Sequence, residues 1–456
     1  MKVAMYTPVP PERTGVAHYA AMLLPALRER ADIVVVSPGD ARPATCDLAI
    51  YQLGNNPHHE HAYREAMRNP GVAVLHDVVL HHLIVEMTLA RGDAEGYVEA
   101  MRANHGEMGA AWARGRIIGL HDELANFLMP ASIDVANRSR AVIVHNRYAA
   151  DRLRTLGVTT PIHVVPHPYI PRARPSDRTR IYERVIGFFG FLTSAKRAEV
   201  VLEAFRIARK SDRRLRLLVV GEAAPNIEEI RGEGITVTGY VSDEEFDDDY
   251  GAVDRLVNLR YPSAGETSGT LIRAFDAGKP VAVSDYAQFA ELPDDCVTKI
   301  PFGADEVARL ADFFLRDLPS PAAAQRRWLE ENARIDLTVE GYLGALRLAA
   351  AFEGGGKPPH SKATLALFPN VSMTWNGTTL TLRNDGDMTL RAAEYGQPGY
   401  RAILKFGDSD RWIALPKDLH PGEAVSIELQ AQRPITLTNA LEGIPIVDET
   451  PAAEVR

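Results

Sequence analysis

This sequence has few cysteines, no long apolar run and no excess of basic residues. The 456 residues include only two cysteines, Cys46 and Cys296, so no disulfide framework is expected. No run reaches the roughly 18 apolar residues that a membrane-spanning helix needs. Acidic residues outnumber basic ones by 60 to 51, and the resulting formal charge of −9 argues against a nucleic-acid partner.

The first residues and the overall composition predict where the protein works. The N-terminal stretch MKVAMYTPVPP has too short an apolar run and too many prolines for a secretory signal peptide. With 46% hydrophobic and 24% charged residues, the composition is that of an ordinary globular protein. A cytoplasmic location is therefore expected. Any membrane contact is expected to be peripheral, from the cytoplasmic face.

Apolar, β-branched runs alternate with helical patterns through residues 1–178. The runs of strand length read KVAMY, ADIVVVSP, CDLAIYQLG, GVAVLHD and RAVIVHN. This alternation predicts a parallel sheet with helices on both faces. Residues 83–138 are helical in pattern but too long for one crossover, which indicates an insertion.

A second alternating series occupies residues 179–352, beginning with the run RVIGFFGFL. It predicts another doubly wound sheet. The fold class is therefore α/β, with two Rossmann-like domains facing a cleft. Residues 170–179 are rich in Pro and Arg and suit a hinge between these domains.

The last hundred residues have a different pattern. Residues 353–364 contain three consecutive glycines and a Pro-Pro pair, which predicts a flexible linker. Residues 365–456 alternate polar and apolar side chains with period two, and turn residues separate the runs. This pattern predicts an all-β, immunoglobulin-like sandwich.

Candidate binding residues follow the strands of the first series, because open parallel sheets bind ligands beyond the carboxyl ends of their strands. Gly15 lies just before a helix, where backbone amides can approach an anion. His76 and Asp77 end a buried strand, where ionisable groups without partners are costly, so they are predicted to meet a ligand. For Asn55 and Asn56, ordinary turn chemistry and contacts to an acceptor are equally consistent with the sequence.

Histidines are concentrated in one part of the chain, since six of the 14 fall within residues 58–82. No His-x3-His spacing on one helix face supports a zinc site, so no metal is predicted. We interpret His58, His59 and His61 as a solvated helix face.

One loop of the second series carries two cations. In GFFGFLTSAKRAE a strand ends at Gly190, and Lys196 and Arg197 open the next helix. Two cations beside the amides of a helix start would neutralise a pyrophosphate. A solvent-facing basic pair is the alternative interpretation.

A second loop, YPSAGETSG, combines an acid with small residues. Ser268 is predicted to cap the following helix, and Gly269 frees backbone amides to approach a phosphate. Glu266 is placed where a sugar hydroxyl can donate to it. Together with Lys196 and Arg197, this loop indicates a site for a sugar diphosphate.

Six motifs occur in an order that resembles the retaining glycosyltransferase family 4, which has the GT-B fold. They are PPERTGVAHYAAMLLPAL, YQLGNNPHHEHAYREAM, VAVLHDVVLHHL, GFLTSAKRAEVVLEAF, VTGYVSDEEF and YPSAGETSGTLIRAFDAGKPVAVSD. The resemblance spans about residues 1–350, and its specificity lies in the order of the six motifs.

The resemblance implies that a nucleotide-diphospho-sugar lies in the cleft, mainly on the second domain, and that an acceptor approaches from the first. The residues expected to take part in catalysis are His76, Lys196 and Glu266. The residues expected to bind the donor are Gly15, Arg197, Gly239, Tyr240, Gly265, Thr267, Ser268 and Gly269. The residues expected to bind the acceptor are Asn55, Asn56 and Asp77.

The sequence departs from the family pattern at two places. Many members have two Glu with seven residues between them, but Arg273 holds the second position and Glu266 is displaced by one from the first, which falls on Gly265. The second Glu commonly holds ribose, so the ribose contact and the nucleotide are left unassigned. Phe191 stands where many members have Arg, which leaves the phosphate charge to Lys196 and Arg197.

The implied function is transfer of a hexose from a nucleotide-diphospho-sugar to a saccharide or lipid-linked saccharide, with retention of configuration. No metal or other cofactor is expected, because Lys196 and Arg197 supply positive charge. Two alternatives stay open. One is a different enzyme on the same fold, such as a sugar-nucleotide epimerase or a phosphorylase. The other is a carbohydrate- or nucleotide-sugar-binding protein without turnover. The sequence does not predict the oligomeric state.

Overall fold

The computed structural model describes most of the first 351 residues and a set of short strands after them. The described residues are 1–12, 14–40, 43, 45–120, 125–172, 184–222, 230, 232–351, 371–376, 379–384, 391–392, 401–406, 412–415, 417, 419–420, 422–428, 435–439 and 445–448. The linker predicted at 353–364 and most of the hinge predicted at 170–179 lie outside these residues. The chain divides into two compact units, Met1–Ala363 and Thr364–Arg456.

The first domain is built on a parallel sheet of six strands. The strands are β1 (Lys2–Tyr6), β2 (Asp32–Val36), β3 (Leu48–Leu53), β4 (Val72–Leu75), β5 (Ala141–Val144) and β6 (Ile162–Val164). Their order in the sheet is β2-β1-β3-β4-β5-β6. The residues of β3, β4 and β5 are all buried, as expected for parallel strands covered on both faces.

Helices connect these strands and include the predicted helical insertion. They are α1 (Gly15–Arg28), α2 (Glu60–Arg68), α3 (His81–Met87), α4 (Ala94–Ile117), α5 (Ala125–Leu128), α6 (Ile133–Arg138) and α7 (Arg147–Thr155). Thr14 caps α1, because its side chain accepts from the Ala17 amide. Helix α4 is kinked at Gly106, whose φ of 64° breaks the helical path.

The second domain repeats the architecture. Its strands are β7 (Arg184–Phe189), β8 (Leu215–Val220), β9 (Ile235–Val237), β10 (Arg255–Asn258), β11 (Val281–Ser284) and β12 (Thr298–Ile300). They pair in parallel in the order β12-β11-β10-β7-β8-β9. Its helices are α8 (Ala198–Ser211), α9 (Asp243–Ala252), α10 (Gly269–Asp276), α11 (Glu306–Leu315) and α12 (Ala322–Asn332).

The last helix of the first unit, α13 (Ile335–Ala350), returns to the first domain. Its buried face, which includes Tyr342 and Leu346, shares one apolar core with Leu23 of α1 and Ile50 of β3. The sequence assigned residues 335–350 to the second domain, because they follow it in the chain. The packing corrects this assignment, since an amphipathic helix covers whichever apolar face is open to it.

The second unit consists of short β-strands. They are β13 (Val371–Asn376), β14 (Thr379–Asn384), β15 (Arg391–Ala392), β16 (Arg401–Phe406), β17 (Trp412–Ala414), β18 (Ala424–Glu428), β19 (Ile435–Asn439) and β20 (Pro445–Asp448). One sheet has the order β13-β14-β18, and the other has the order β15-β16-β19-β20 with β17 paired to β16. All of these pairings are antiparallel except that of β15 with β16.

Among the described helices, none combines the length and the apolar character needed to cross a membrane.

Candidate active site

A cleft of about 620 Å³ is lined by both sheets of the first unit. In each sheet the strand order reverses beside the first strand of the domain, at β1 and at β7. The carboxyl ends of strands at such a reversal point form a crevice where ligands bind. The lining residues used below are Gly15, His18, Tyr19, Asp77, His167, Arg172, Gly190, Phe191, Lys196, Tyr240, Asp243, Arg260, Glu266, Thr267, Ser268, Gly269, Thr270 and Arg273.

Lys196 is the most deeply placed cation of the cleft. Its side chain is buried, and Nζ donates to the Phe189 carbonyl at 2.9 Å. Gly190 permits this approach, because it has a φ of +91° and a Cβ there would lie 2.7 Å from Nζ. Among the described residues, no carboxylate lies within ion-pair distance of Lys196. Burial, reinforced by the charge of Arg260, holds the pKa of Lys196 well below its usual value, while Glu266 acts to raise it.

Arg260 is a second buried cation, just after β10. Its Nε donates to Glu266 Oε1 at 2.7 Å, and its Nη1 donates to the Leu259 carbonyl at 2.9 Å. The second Glu266 oxygen accepts from the Ala264 amide at 3.0 Å. Both oxygens of Glu266 are therefore engaged within its own loop, before any sugar is present. Arg260 is not among the residues predicted from the sequence, although its place just beyond the carboxyl end of a strand marks it as a candidate.

The loop that carries Glu266 docks on the first domain. The Val78 amide donates to the Ala264 carbonyl at 2.7 Å, and Asn146 Nδ2 donates to the Gly265 carbonyl at 2.8 Å. Gly265 has a φ of +77°, and a Cβ there would lie 3.0 Å from Val78 Cγ2. A side chain at residue 265 would therefore strain the backbone and crowd this contact. Gly265 lies behind the cleft rather than among its lining residues.

Helix α10 begins inside the cleft. Ser268 caps it as predicted, with Oγ accepting from the Leu271 amide at 3.3 Å, and Asn258 Nδ2 donates to Ser268 Oγ at 3.1 Å. The first amides of a helix have no partner within the helix. Those of Gly269 and Thr270 are therefore available to an anion at this end of α10.

On the first-domain side, a chain of hydrogen bonds fixes His76. Nε2 of His76 lies 2.6 Å from Gln52 Oε1, and Gln52 Nε2 donates to the Tyr342 hydroxyl at 3.0 Å. The Tyr342 hydroxyl is in turn 2.9 Å from that of Tyr19. Because an amide oxygen only accepts, the His76 ring must carry a proton on Nε2. In the neutral ring, Nδ1 is then an acceptor.

The imidazoles of this wall are neutral. The rings of His76, His145 and His167 pack around Tyr19, with centroids 4.7, 5.1 and 5.1 Å from that of the tyrosine. Burial lowers the pKa of His76 well below its usual value, that of His145 to about 4 and that of His167 to about 3. Of these three, His167 lines the cleft, while His76 lies half-buried beside the lining residue Asp77.

Asp77 is the carboxylate that the first domain contributes to the cleft. It is half-buried, and its Oδ2 accepts from the Asn55 amide at 2.8 Å. Burial, followed by the charge of Glu266, raises the pKa of Asp77 to about 7. The carboxyl group therefore changes its protonation state near neutral pH.

Arg197 has a different position from the one that the sequence suggested. Its guanidinium pairs with Glu306 at 2.5 Å and lies 4.9 Å from the ring centroid of Phe302. It is not among the lining residues of the cleft. The interpretation of Arg197 as the partner of Lys196 therefore needs correction. Arg197 adopts φ of 59°, which sends its side chain along a path that a helical register does not predict.

Other predicted residues divide between the cleft and its surroundings. Gly15, Tyr240 and Thr267 line the cleft with Asp77, whereas Gly239 does not. The predicted acceptor-binding pair Asn55 and Asn56 also lies outside the lining. Asn55 Oδ1 accepts from the His82 amide at 2.9 Å, and Asn56 Oδ1 accepts from the His58 amide at 3.1 Å. The Asn56 side chain thus serves its own turn, whereas that of Asn55 accepts from amides at the start of α3. Contact of either residue with an acceptor stays a prediction.

Arg273, which replaces the second Glu of the family pattern, lies in an ionic cluster. It pairs with Asp247 at 3.1 Å and with Asp243 at 3.7 Å. Asp243 is also 3.4 Å from His18 of the first domain and 3.6 Å from Arg172. Arg273 thus lines the cleft as a cation whose charge is balanced by two carboxylates.

The histidine-rich segment contains one clear departure from expectation. His59 was interpreted as part of a solvated face, but its side chain is fully buried, and Nδ1 lies 2.9 Å from the Gln52 carbonyl. Burial lowers its pKa to about 4. Within the part of the chain that the structure describes, no group of three or more His, Cys, Asp or Glu side chains is arranged to hold a metal ion.

Comparison with known proteins adds a family match and a fold. Residues 183–318 match the family model of glycosyl transferases group 1, and this span contains Lys196, Arg260 and Glu266. No curated protein sequence is significantly similar to the chain.

Two solved structures share the architecture of the first unit. HepE of Anabaena, crystallised with UDP-glucose, is 14% identical and superposes with a TM-score of 0.53 over 76% of this chain and 100% of its own. The sucrose-phosphate synthase of Thermosynechococcus elongatus is 13% identical, with a TM-score of 0.52 over 77% of this chain and 100% of its own. The protein therefore has the GT-B fold, and residues 183–318 within it match the group 1 glycosyl transferases.

Proposed function

We propose that this protein is a glycosyltransferase that moves a hexose from a nucleoside diphospho-sugar to a saccharide or lipid-linked saccharide. One observation carries this proposal. The segment that matches the group 1 glycosyl transferases contributes a cleft wall on which a buried lysine without an acidic partner stands near the amide end of a helix. A diphosphate is the part of such a donor that this wall suits.

The wall suits the departure of a diphosphate as well as its binding. Negative charge grows on the leaving phosphate as the glycosidic bond breaks. Lys196 and the first amides of α10 are fixed donors already in place, so they stabilise that charge without reorganisation. These protein groups supply the positive charge for which other enzymes recruit a cation, and we therefore propose transfer without a metal ion.

Retention of configuration is part of the proposal, supported by the resemblance of the six motifs to a retaining family, and it is proposed to need no protein nucleophile. Glu266 is held by Arg260 and the Ala264 amide, which makes it a poor nucleophile. In the proposed reaction the acceptor attacks from the face that the diphosphate leaves, and a phosphate oxygen takes its proton. The neutral His76 ring offers Nδ1 as an acceptor for a sugar hydroxyl, and Asp77 faces the incoming acceptor.

The experiment that tests the proposal measures donor binding and donor consumption separately. UDP-glucose is the first probe, because HepE was crystallised with it, and GDP-, ADP- and dTDP-sugars follow. A thermal shift for one nucleotide, unchanged by EDTA, is the expected binding result. Transfer to an oligosaccharide panel, with the anomeric configuration of the product read by NMR, is the expected activity.

Two outcomes would redirect the assignment. Consumption of donor without any acceptor would favour an epimerase on the same fold. Binding without turnover across the acceptor panel would favour a nucleotide-sugar-binding protein. An absence of binding to all four nucleotide classes would overturn the proposal altogether.

A further inference from the structure

One buried arginine lies in strand β10 and a second lies just beyond it, and of these two the second lines the cleft. Arg255, at the amino end, donates from Nη1 to the carbonyls of Phe313 and Arg316, and its guanidinium lies 5.6 Å from the Phe313 ring centroid. It lies outside the cleft and ties β10 to the end of α11. Arg260, just past the carboxyl end, lines the cleft although it is only 9% exposed. The same residue type thus has two different environments at the two ends of this strand.

The guanidinium of Arg260 is held on one side and open on the other. Glu266 holds Nε and the Leu259 carbonyl holds Nη1. Within the described residues, Nη2 makes no hydrogen bond, and it is in contact with solvent. A rigidly held guanidinium with a free edge toward a cleft is the geometry that recognises phosphate oxygens.

Arg260 and Lys196 bring two positive charges into the cleft, and one carboxylate is available to balance both. Glu266 is the ion-pair partner of Arg260, whereas the Lys196 ammonium donates to the Phe189 carbonyl and has no ion-pair partner in the described part of the chain. Holding two cations at a buried site is costly unless an anion joins them. The arrangement is therefore incomplete without a negatively charged ligand.

We propose that Arg260 and Lys196 together grip the diphosphate of the nucleoside diphospho-sugar, and that Glu266 is a positioning residue that aims Arg260. This inference rests on the proposed function and deepens it. Arg197, which was predicted to share this role, pairs with Glu306 instead, and residue 191, where the family pattern has Arg, is an exposed phenylalanine. Arg260 supplies that charge from the neighbouring strand instead.

The test compares Arg260 with Arg255 by calorimetric titration of the purified full-length variants. The probes are UDP, GDP, ADP and dTDP, each with its nucleoside alone. Arg260→Gln should weaken the best diphosphate about 10- to 100-fold, since a charge-assisted hydrogen bond is lost, and leave the nucleoside within about threefold. Arg260→Lys, which keeps the charge but loses the held edge, should weaken it about 10-fold. Arg255→Lys is the matched control and should bind the diphosphate within about threefold of wild type.

The outcomes separate this inference from the proposed function. Wild-type binding that is unchanged in both Arg260 variants would overturn the role of Arg260 and leave the glycosyltransferase assignment in place. Equal weakening by Arg260→Gln and Arg255→Lys would reduce the effect to general destabilisation and also overturn it. Wild-type protein that binds none of the four diphosphates would overturn both.

The positioning role of Glu266 is tested by a double-mutant cycle. Glu266→Ala should weaken the diphosphate in the wild-type background and have less than about a threefold effect when Arg260 is already Gln. Glu266→Gln keeps an acceptor oxygen for Arg260 Nε and should recover most of the affinity. A loss of affinity for the diphospho-sugar that is equal in both backgrounds would instead mean that Glu266 contacts the sugar directly.

Discussion

The two walls of the cleft satisfy their polar groups in opposite ways. On the first-domain wall, His76, Gln52, Tyr342 and Tyr19 complete one another's hydrogen bonds, and burial holds the pKa of His76 well below its usual value. On the second-domain wall, Lys196 has no acidic partner among the residues that the structure describes. The difference indicates that the hydrogen-bond chain of the first wall is complete before a ligand arrives, whereas the second wall is completed by an anion. Shape and orientation would then come from the first wall, and affinity from the second.

The largest effect is expected from removing the unpaired cation of the second wall. Lys196→Met should lower transfer about 100- to 1,000-fold, because a fixed donor to the leaving phosphate is lost. The same variant should melt at a higher temperature than wild type. Its folded-state lysine pKa is depressed, so charging Lys196 costs stability below that pKa, and the cost disappears as the pH rises toward the ordinary lysine range.

The stability gain of Lys196→Met should accordingly be greatest at acidic pH and shrink in alkaline buffer. Differential scanning calorimetry of both proteins from pH 6 to pH 9 measures it. A melting temperature below that of wild type at every pH would show that Lys196 stabilises the folded protein. That result would contradict the difference between the two walls.

Arg197 provides the sharpest contrast within the second domain. Arg197→Gln leaves the buried Glu306 without its partner and should cost about 3 kcal/mol of unfolding free energy. Because the guanidinium lies outside the cleft, diphosphate affinity should stay within about threefold. Urea unfolding and calorimetric titration give the two values.

The control for Arg197 is Glu306→Gln, alone and combined with Arg197→Gln. The double variant should be more stable than the sum of the single effects predicts, since no charge is left unpaired. A loss of diphosphate affinity as large as that of a Lys196 variant would return Arg197 to the donor site.

A smaller effect is expected from the hydrogen-bond chain of the first wall. Gln52→Met has nearly the same length and volume but removes the partner of His76 Nε2 and one of the two partners of the Tyr342 hydroxyl. It should cost about 1–3 kcal/mol of unfolding free energy and lower turnover, while diphosphate affinity is retained. Tyr342→Phe, which removes only one hydroxyl, should cost less. Diphosphate affinity that falls in parallel with stability would show that the two walls are not separable.

The smallest effect is expected from Asp77, and it depends on pH. The folded-state pKa of about 7 is above the ordinary value, so the folded state binds a proton more tightly than the unfolded state. Stability should fall as the pH rises toward 7 and then level off. Asp77→Asn mimics the protonated carboxyl group and should therefore melt a few degrees above wild type at pH 8 but close to it below about pH 4, where the unfolded carboxyl group is also protonated. A difference that is the same at both values would exclude a raised pKa.

Much of the architecture was readable from local pattern. Alternation of apolar runs with helical segments predicted both parallel sheets, because the spacing of apolar residues within a few positions indicates the buried face of each element. The ends of those strands pointed to Gly15, Asp77, Lys196 and Glu266, and all four line the cleft. The N-cap of α10 at Ser268 was also predicted, since capping is a contact between residues three apart.

What the sequence by itself determined, then, is the set of elements, their order and the loops that meet in the cleft. The tertiary structure alone decided which partners those loops receive. Gln52 and Tyr342 are 290 positions apart, and Arg197 and Glu306 are 109 apart. The tertiary structure also decided that helix α13 packs on the first domain and that Glu266 pairs with Arg260. The direction of a side chain depends on the packing of distant elements, and the local spacing of apolar residues in the sequence does not predict it.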